Sequence, residues 1–317
     1  MMIKEQLDNT IKETNFESLG KLERGKVRDN YFDDGRIIMI TTDRISAFDH
    51  VVGTVPFKGQ VLTQIAAFWF NMTKDIVRNH LTDVPDPNVM VVRKCEPLPV
   101  EVVVRAYLTG SAWRDYKAGK DISGIKLPAG LKKDQKFDKP IITPSTKAER
   151  GEHDMPISRE EIIERGLVDE ETWNKIEEIA LKLFARGTEH AAKQGLILVD
   201  TKYEFGLLDG EIVLMDEIHT PDSSRYWYSD TYQELFEKGE EQRSLDKEHV
   251  REWLRQHGFS GDGSPPPLDA GIRIEAARRY IKVYEQITGR KFEFLKVPIL
   301  DRIRKHLKDA GYLKEEE

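Results

Sequence analysis

Apolar residues recur along this chain with two periods, and the changes between them mark its elements. Short β-branched or alternating runs predict strands at residues 27–31, 37–40, 89–92 and 100–107. Asp34-Gly35 supplies a turn between the first two. Helical spacing of Val61, Ile65, Phe68, Met72 and Ile76 predicts a helix over residues 58–77. Trp173, Ile176, Ala180 and Leu183 predict a second helix, opened by Asp169 and stopped by Gly195. Ser158 to Glu161 carries a capping-box pattern before a short helix. The last third reads as helices at residues 246–256, 269–288 and 299–310, with GDGSPPP interrupting the first two. Residues 117–156 are rich in Gly and Pro and predict a long loop or small embedded lid.

Residues 196–225, LILVDTKYEFGLLDGEIVLMDEIHTPDSSR, organise the rest. Two apolar runs flank Asp209-Gly210, a strong hairpin signal. Asp200, Glu204, Asp216 and Glu217 stand where a purely structural strand would carry Val or Ile. Period-2 alternation puts Asp200, Lys202 and Glu204 on one face. A cationic group between two carboxylates suits Mg2+ held beside phosphate oxygens. A solvated face of an edge strand is the competing explanation, but unpaired charge inside apolar runs is costly. A tight turn pairs Glu204 with Met215 and leaves Asp216 on the opposite face. We therefore expect a bulge or longer loop that brings Asp216 opposite Glu204.

Other polar groups cluster near predicted turns and strand ends. Gly25 permits close backbone approach, with Lys26 and Arg28 supplying charge to a phosphate. Asp43, Arg44, Ser46 and Asp49 form a turn-supported binding loop. Pro97 and Pro99 suggest a connector between two lobes, and such junctions suit a nucleotide base. Arg105, Gly110 and Ser111 gather donors suited to phosphate. Lys147, His153 and Asp154 lie in the irregular region, and Asp222, Ser223 and Arg225 can cooperate on a polar ligand.

Composition narrows the functional classes. A chain of 317 residues can bury a substantial core and is expected to form two lobes. A formal charge of -7 and the lack of a basic aromatic platform argue against nucleic-acid binding. Cys95 is the only cysteine, which excludes an intramolecular disulfide and fits a small buried residue in a reducing compartment. Neither a signal peptide nor a membrane span is evident, leaving the cytoplasm as the expected location. Walker A and GxGxxG patterns are both absent.

Taken together, GKVRDNY, DRISAFD, EVVVRAYLTGS, ITPSTKAERGEHD, LILVDTKYEFG and DEIHTPDSSRYW resemble the phosphoribosylaminoimidazole-succinocarboxamide synthase (SAICAR synthetase) family. Their order and joint occurrence are highly specific, and Gly110-Ser111 with the SPPP-containing tail resembles its longer form. The resemblance implies an α+β enzyme of two lobes, a small antiparallel-sheet lobe beside a larger ATP-grasp-like one. We place the lobes at residues 1–96 and 97–317. It further implies ATP and Mg2+ as co-substrate and cofactor, with ATP in a cleft. CAIR and L-aspartate are the implied substrates, joined through an acyl phosphate to give SAICAR.

Under that resemblance Gly25, Lys26 and Arg28 surround the triphosphate. Glu204 and Asp216 bind metal, Asp200 binds metal or orients Lys202, and Lys202 lies near the transferring phosphate. Arg105 and Ser111 hold the CAIR phosphate, assisted by Asp222 and Arg225. Ser46, Asp49, Lys147 and Asp154 hold CAIR or aspartate. Another ATP-dependent carboxylate-amine ligase, or a nucleotide-binding regulatory protein without turnover, are the alternatives.

Overall fold

The structure, a computed structural model, describes residues 2–147, 154–245, 247–295 and 298–314. Helices are mixed with antiparallel sheets, so the α+β expectation holds. The chain divides into two compact units. Unit 1 comprises Met1–Trp69, His80–Lys94 and Leu245–Glu317, and unit 2 comprises Phe70–Asn79 and Cys95–Ser244. This partition differs from lobes at 1–96 and 97–317. The chain end, grouped with the second lobe in the sequence reading, belongs to unit 1.

Unit 1 is built on β1 (Lys21–Arg24), β2 (Arg28–Asp33), β3 (Arg36–Thr41), β6 (Leu81–Asp86) and β7 (Val89–Arg93), in the order β1-β2-β3-β7-β6. β4 (Arg44–Ala47) and β5 (His50–Thr54) form a separate hairpin. The helix Ile299–Asp309 presents Ile299, Ile303 and Leu307 at intervals of four, one helical stripe. They join Tyr31, Ile38, Ile40, Val89 and Val91 in one buried cluster. Beside this core, Arg302 makes two hydrogen bonds to Asp86, at 2.8 and 3.0 Å, while His306 Nδ1 lies 2.7 Å from the same carboxylate.

Unit 2 is organised around β8 (Glu96–Tyr107) and β11 (Leu196–Leu208), which lie side by side. β9 (Lys136–Ile142) and β10 (Ser145–Thr146) extend the sheet from β8; β12 (Glu211–Met215) and β13 (Ser224–Tyr228) extend it from β11. Pro97 and Pro99 are thus not a connector: they sit inside β8, and the units divide at Lys94/Cys95. Part of the supposed lid is likewise sheet, as β9 and β10; His153 falls outside the described residues. Cys95 is half-buried rather than buried.

The long helix Glu170–Lys193 is capped by Asp169, whose carboxylate accepts the Thr172 N–H at 2.9 Å. It ends before Gly195, which takes a positive φ of 70°. The predicted helix from residue 58 stops earlier than expected, at Met72. Among the described residues, no helix is long and apolar enough to cross a membrane.

Removing Arg302 strands a fully buried Asp86 carboxylate without its guanidinium. Arg302→Ala should therefore cost about 3–5 kcal/mol, read as a lower denaturation midpoint in urea.

Candidate functional site

The hairpin forms as the sequence indicates. Asp209 and Gly210 both take positive φ, 55° and 79°, as a two-residue type I′ turn requires. The register is regular, Leu208 with Glu211 and Glu204 with Met215, so the expected bulge is absent from this pair. β12 instead ends at Met215, and Asp216 leaves it with φ 62°, in the left-handed region. The Asp216 charge nevertheless acts on both Lys147 and Lys202. A change of backbone hand, rather than a bulge, brings this acid within electrostatic reach of the β11 face.

The turn that carries Asp216 is anchored by His219, which is fully buried and has φ 52°. Its Nε2 lies 2.6 Å from the Tyr203 hydroxyl, while the Tyr226 hydroxyl donates to its carbonyl at 2.9 Å. Gly187, within the long helix, admits the imidazole: a Cβ there would lie 2.4 Å from His219 Cε1. The sequence does not single out His219, since a histidine between two acids and a TPDSS turn carries no packing signal.

One face of the β8–β11 pair carries two charged clusters. Asp200 pairs with Arg105 and Glu204 with Glu101 across the strands, so all four side chains share that face. At the first end, Asp200 Oδ2 accepts from Arg225 Nη1 at 2.7 Å and from Arg105 Nη1 at 3.4 Å. Arg105 also donates to Ser111 Oγ at 3.1 Å and to Thr143 Oγ1 at 2.8 Å. Two guanidinium groups thus converge on one carboxylate, and their planar donors match phosphate oxygens. Gly110 permits this close approach, because a Cβ there would lie 2.8 Å from Arg225 Nη2.

At the other end, four residues along the strand and so roughly 13 Å away, Lys202 Nζ is held at 2.7 Å by both Glu101 and Glu204. Lys147 Nζ reaches the second Glu204 oxygen at 2.5 Å. Burial opposes the charge on Lys202, but Glu204, Glu101 and Asp216 outweigh it and raise its pKa above the ordinary lysine value. Lys147 is raised for the same reason, against burial, chiefly by Glu204. Burial pushes Glu204 upwards, yet its two ammonium partners win and hold it well below the usual range. Glu101 goes the other way, to about 7, because desolvation exceeds the attraction of the one lysine it shares and Glu204 adds repulsion.

Glu101 is the principal residue that sequence reasoning missed. An acid inside PVEVVV carries the same signal that singled out Asp200 and Glu204, a charge in an apolar β run.

The expected three-carboxylate metal set does not assemble. Asp200 is held by arginines, and among the described residues no group of three His, Cys, Asp or Glu is arranged to hold a metal. Glu204 and Asp216, whose charges both act on Lys147 and Lys202, remain as two candidate carboxylates. That donor number fits Mg2+, which takes one or two carboxylates together with phosphate oxygens.

The other expected residues are divided between the two units. Asp154 acts electrostatically on Glu101 and so lies near the lysine–carboxylate cluster. Asp222 sits in the turn after Thr220, its backbone N–H 3.3 Å from Thr220 Oγ1. Glu217 is buried and accepts the Thr220 hydroxyl at 2.6 Å, a structural tie. Unit 1 carries Gly25, Lys26, Arg28, Ser46 and Asp49. There Lys26 forms an ion pair with Asp49, joining two candidate loops, while Ser46 lies on β4. Arg28, expected to reach for phosphate, is buried.

The arginine–Asp200 cluster and the lysine–carboxylate network share one sheet face, an arrangement of donors and cations that suits phosphorylated ligands. The comparisons with known proteins agree with that reading. The SAICAR synthetase family model matches residues 21–266. The phosphoribosylaminoimidazole-succinocarboxamide synthase of Bacteroides thetaiotaomicron is 54% identical over 283 residues, covering 88% of this chain and 90% of that protein. A SAICAR synthase from Saccharomyces cerevisiae, solved with SAICAR, superposes with a TM-score of 0.80 at 36% identity, covering 90% of this chain and 100% of that one. A SAICAR synthetase solved with ADP gives a TM-score of 0.65 at 29% identity, with 86% and 100% coverage. The chain belongs to the SAICAR synthetase family.

Burial holds His219 neutral, with its pKa lowered to about 3. A histidine depressed on folding contributes stability above its unfolded value near 6.5, and that contribution is lost as the pH falls towards 3. Below about pH 6 the wild-type protein should lose roughly 1.4 kcal/mol per pH unit from this group. His219→Asn should be less stable at neutral pH and should lack that part of the acid slope, read by denaturation midpoints between pH 7 and 4.5.

Proposed function

We propose that the protein joins the amino group of L-aspartate to the carboxylate of CAIR, converting ATP to ADP and phosphate and giving SAICAR. The observation that carries this reading is the paired clusters on the β8–β11 face in a chain of this family. A carboxylate resists amines because its oxygen is a poor leaving group. Attack of a CAIR carboxylate oxygen on the γ-phosphorus of ATP releases ADP and forms an acyl phosphate. The aspartate amine then attacks the acyl carbon, phosphate departs, and the nitrogen gives up a proton.

Nothing in this route needs a covalent protein nucleophile; alignment, charge neutralisation and exclusion of water suffice. Arg105, Arg225 and Ser111 bind the CAIR phosphate, with Asp222 at the ribose end. Lys202 and Lys147 offset charge on the transferring phosphoryl group, and both keep their protons because acids surround them. Glu101 and Glu204 fix the Lys202 ammonium, and Asp200 orients the two arginines rather than a metal. Glu204 and Asp216 would hold Mg2+, which supplies charge neutralisation for the ATP phosphates when bound. Gly25, Lys26 and Arg28 form the triphosphate loop. Lys147 and Asp154 are the CAIR or aspartate candidates of unit 2, and Ser46 and Asp49 those of unit 1. The working compartment is the cytoplasm.

A coupled assay with ATP, Mg2+, CAIR and L-aspartate should release ADP only when all four are present, with SAICAR identified by mass. Turnover with a different carboxylate acceptor but not CAIR would sink the assignment, as would nucleotide binding without ADP release. Arg105→Ala should raise the KM for CAIR by about 30-fold or more, the equivalent of about 2 kcal/mol for removing a charge-assisted hydrogen bond from a buried phosphate. An unchanged KM for CAIR would remove Arg105 from the phosphate site.

A further inference from the structure

Arg44 lies 8% exposed in unit 1, and its guanidinium is engaged by main-chain oxygens. Nη2 donates to the Gly25 carbonyl at 3.0 Å and to the Arg28 carbonyl at 3.1 Å; Nε donates to the Lys26 carbonyl at 3.2 Å. Nη1 donates to the Lys12 carbonyl. The charge is balanced by Asp29, whose fully buried carboxylate accepts Nη2 at 2.8 Å. The remaining loop carbonyl, that of Val27, accepts from the Thr42 N–H at 2.9 Å and the Thr42 hydroxyl at 2.8 Å. Four consecutive carbonyls, from Gly25 to Arg28, are therefore tied inward.

The planarity of the trans peptide fixes the consequence. Each N–H points opposite to the carbonyl of the same peptide unit. With the carbonyls of Gly25, Lys26 and Val27 turned in, the N–H groups of Lys26, Val27 and Arg28 turn away from Arg44. Successive main-chain N–H groups aimed the same way make an anion-binding concavity. We propose that Arg44 is the positioning residue of this loop: it holds the carbonyls inward so that the Lys26, Val27 and Arg28 amides face the nucleotide phosphates. The proposal rests on the reading of residues 25–28 as the triphosphate loop. It also gives Arg28 a different part from the one expected, contributing its backbone while its side chain is buried.

Lysine at position 44 keeps the charge opposite Asp29 but has no planar fork to span several carbonyls. Arg44→Lys should raise the KM for ATP by about tenfold or more, a loss near 1.4 kcal/mol. kcat at saturating ATP and the KM for CAIR should stay within about twofold, which is experimentally unchanged on that scale. In the wild-type protein, ADP should slow hydrogen exchange at the amides of Lys26, Val27 and Arg28, and Arg44→Lys should weaken that protection. Thr42→Val provides a second variant, since it removes one bond to the Val27 carbonyl without touching the guanidinium; its KM for ATP should rise while kcat holds. Unchanged KM for ATP and full ADP protection in either folded variant would overturn the positioning role. If ADP gives the wild-type amides no protection, the triphosphate-loop reading fails first, and the role of Arg44 falls with it.

Discussion

The antiparallel register of β8 against β11 is the constraint on which the site depends. Asp200 faces Arg105 and Glu204 faces Glu101, and a slip of β11 by one residue would send Asp200, Lys202 and Glu204 to the opposite face from their β8 partners. That face is already filled by Val199, Tyr203 and Phe205, all buried. The cost of burying unpaired carboxylates there locks the register far more firmly than backbone hydrogen bonds alone. The pairing then shifts immediately beyond the site, between Glu204 and Gly206. Gly206 makes this shift possible, since a Cβ would lie 2.7 Å from both the Glu96 carbonyl and Met215 Sδ.

Stability does not require such a face. Buried ion pairs offset little of their desolvation cost, and apolar residues of similar volume would serve the fold at least as well. What distinguishes the two clusters is which charge is shared. Two guanidinium groups share the single Asp200 carboxylate, whereas Glu101, Glu204 and Asp216 surround two ammonium groups. The first end is centred on guanidinium groups and the second on carboxylates around two ammonium groups. In the proposed reaction the CAIR phosphate meets the first cluster and the nucleotide phosphates the second.

Much of this was legible because it is local. The Asp209-Gly210 turn and the shared face of Asp200, Lys202 and Glu204 follow from turn chemistry and strand period. Arg105 with Ser111 and Arg225 follows from family pattern, and the structure joins them through Asp200. Position 216 could not be read the same way, because its placement depends on a left-handed residue and a buried histidine held by two tyrosines and a helical glycine. Those are packing facts among residues distant in sequence. Pro97 and Pro99 misled for a related reason. Proline is tolerated where a strand begins or its pairing is irregular, and the early part of β8 is such a place.

The chain end shows how far apart in sequence such dependence can reach. The apolar face formed by Tyr31, Ile38, Ile40, Val89 and Val91 is covered by Ile299, Ile303 and Leu307, more than 200 residues further along. Amphipathic spacing revealed that helix but could not say which sheet it would cover. Tyr31 lies two residues from Asp29, whose carboxylate binds both Thr14 and Arg44. Tyr31 in turn shares the Thr14 hydroxyl at 2.8 Å. The last helix thus shares a core cluster with Tyr31, which is linked through Thr14 to the Asp29 carboxylate that holds the Arg44 guanidinium. A segment with no chemistry of its own supports the geometry of the loop, because β2 carries Tyr31 in its core and Asp29 at its polar end.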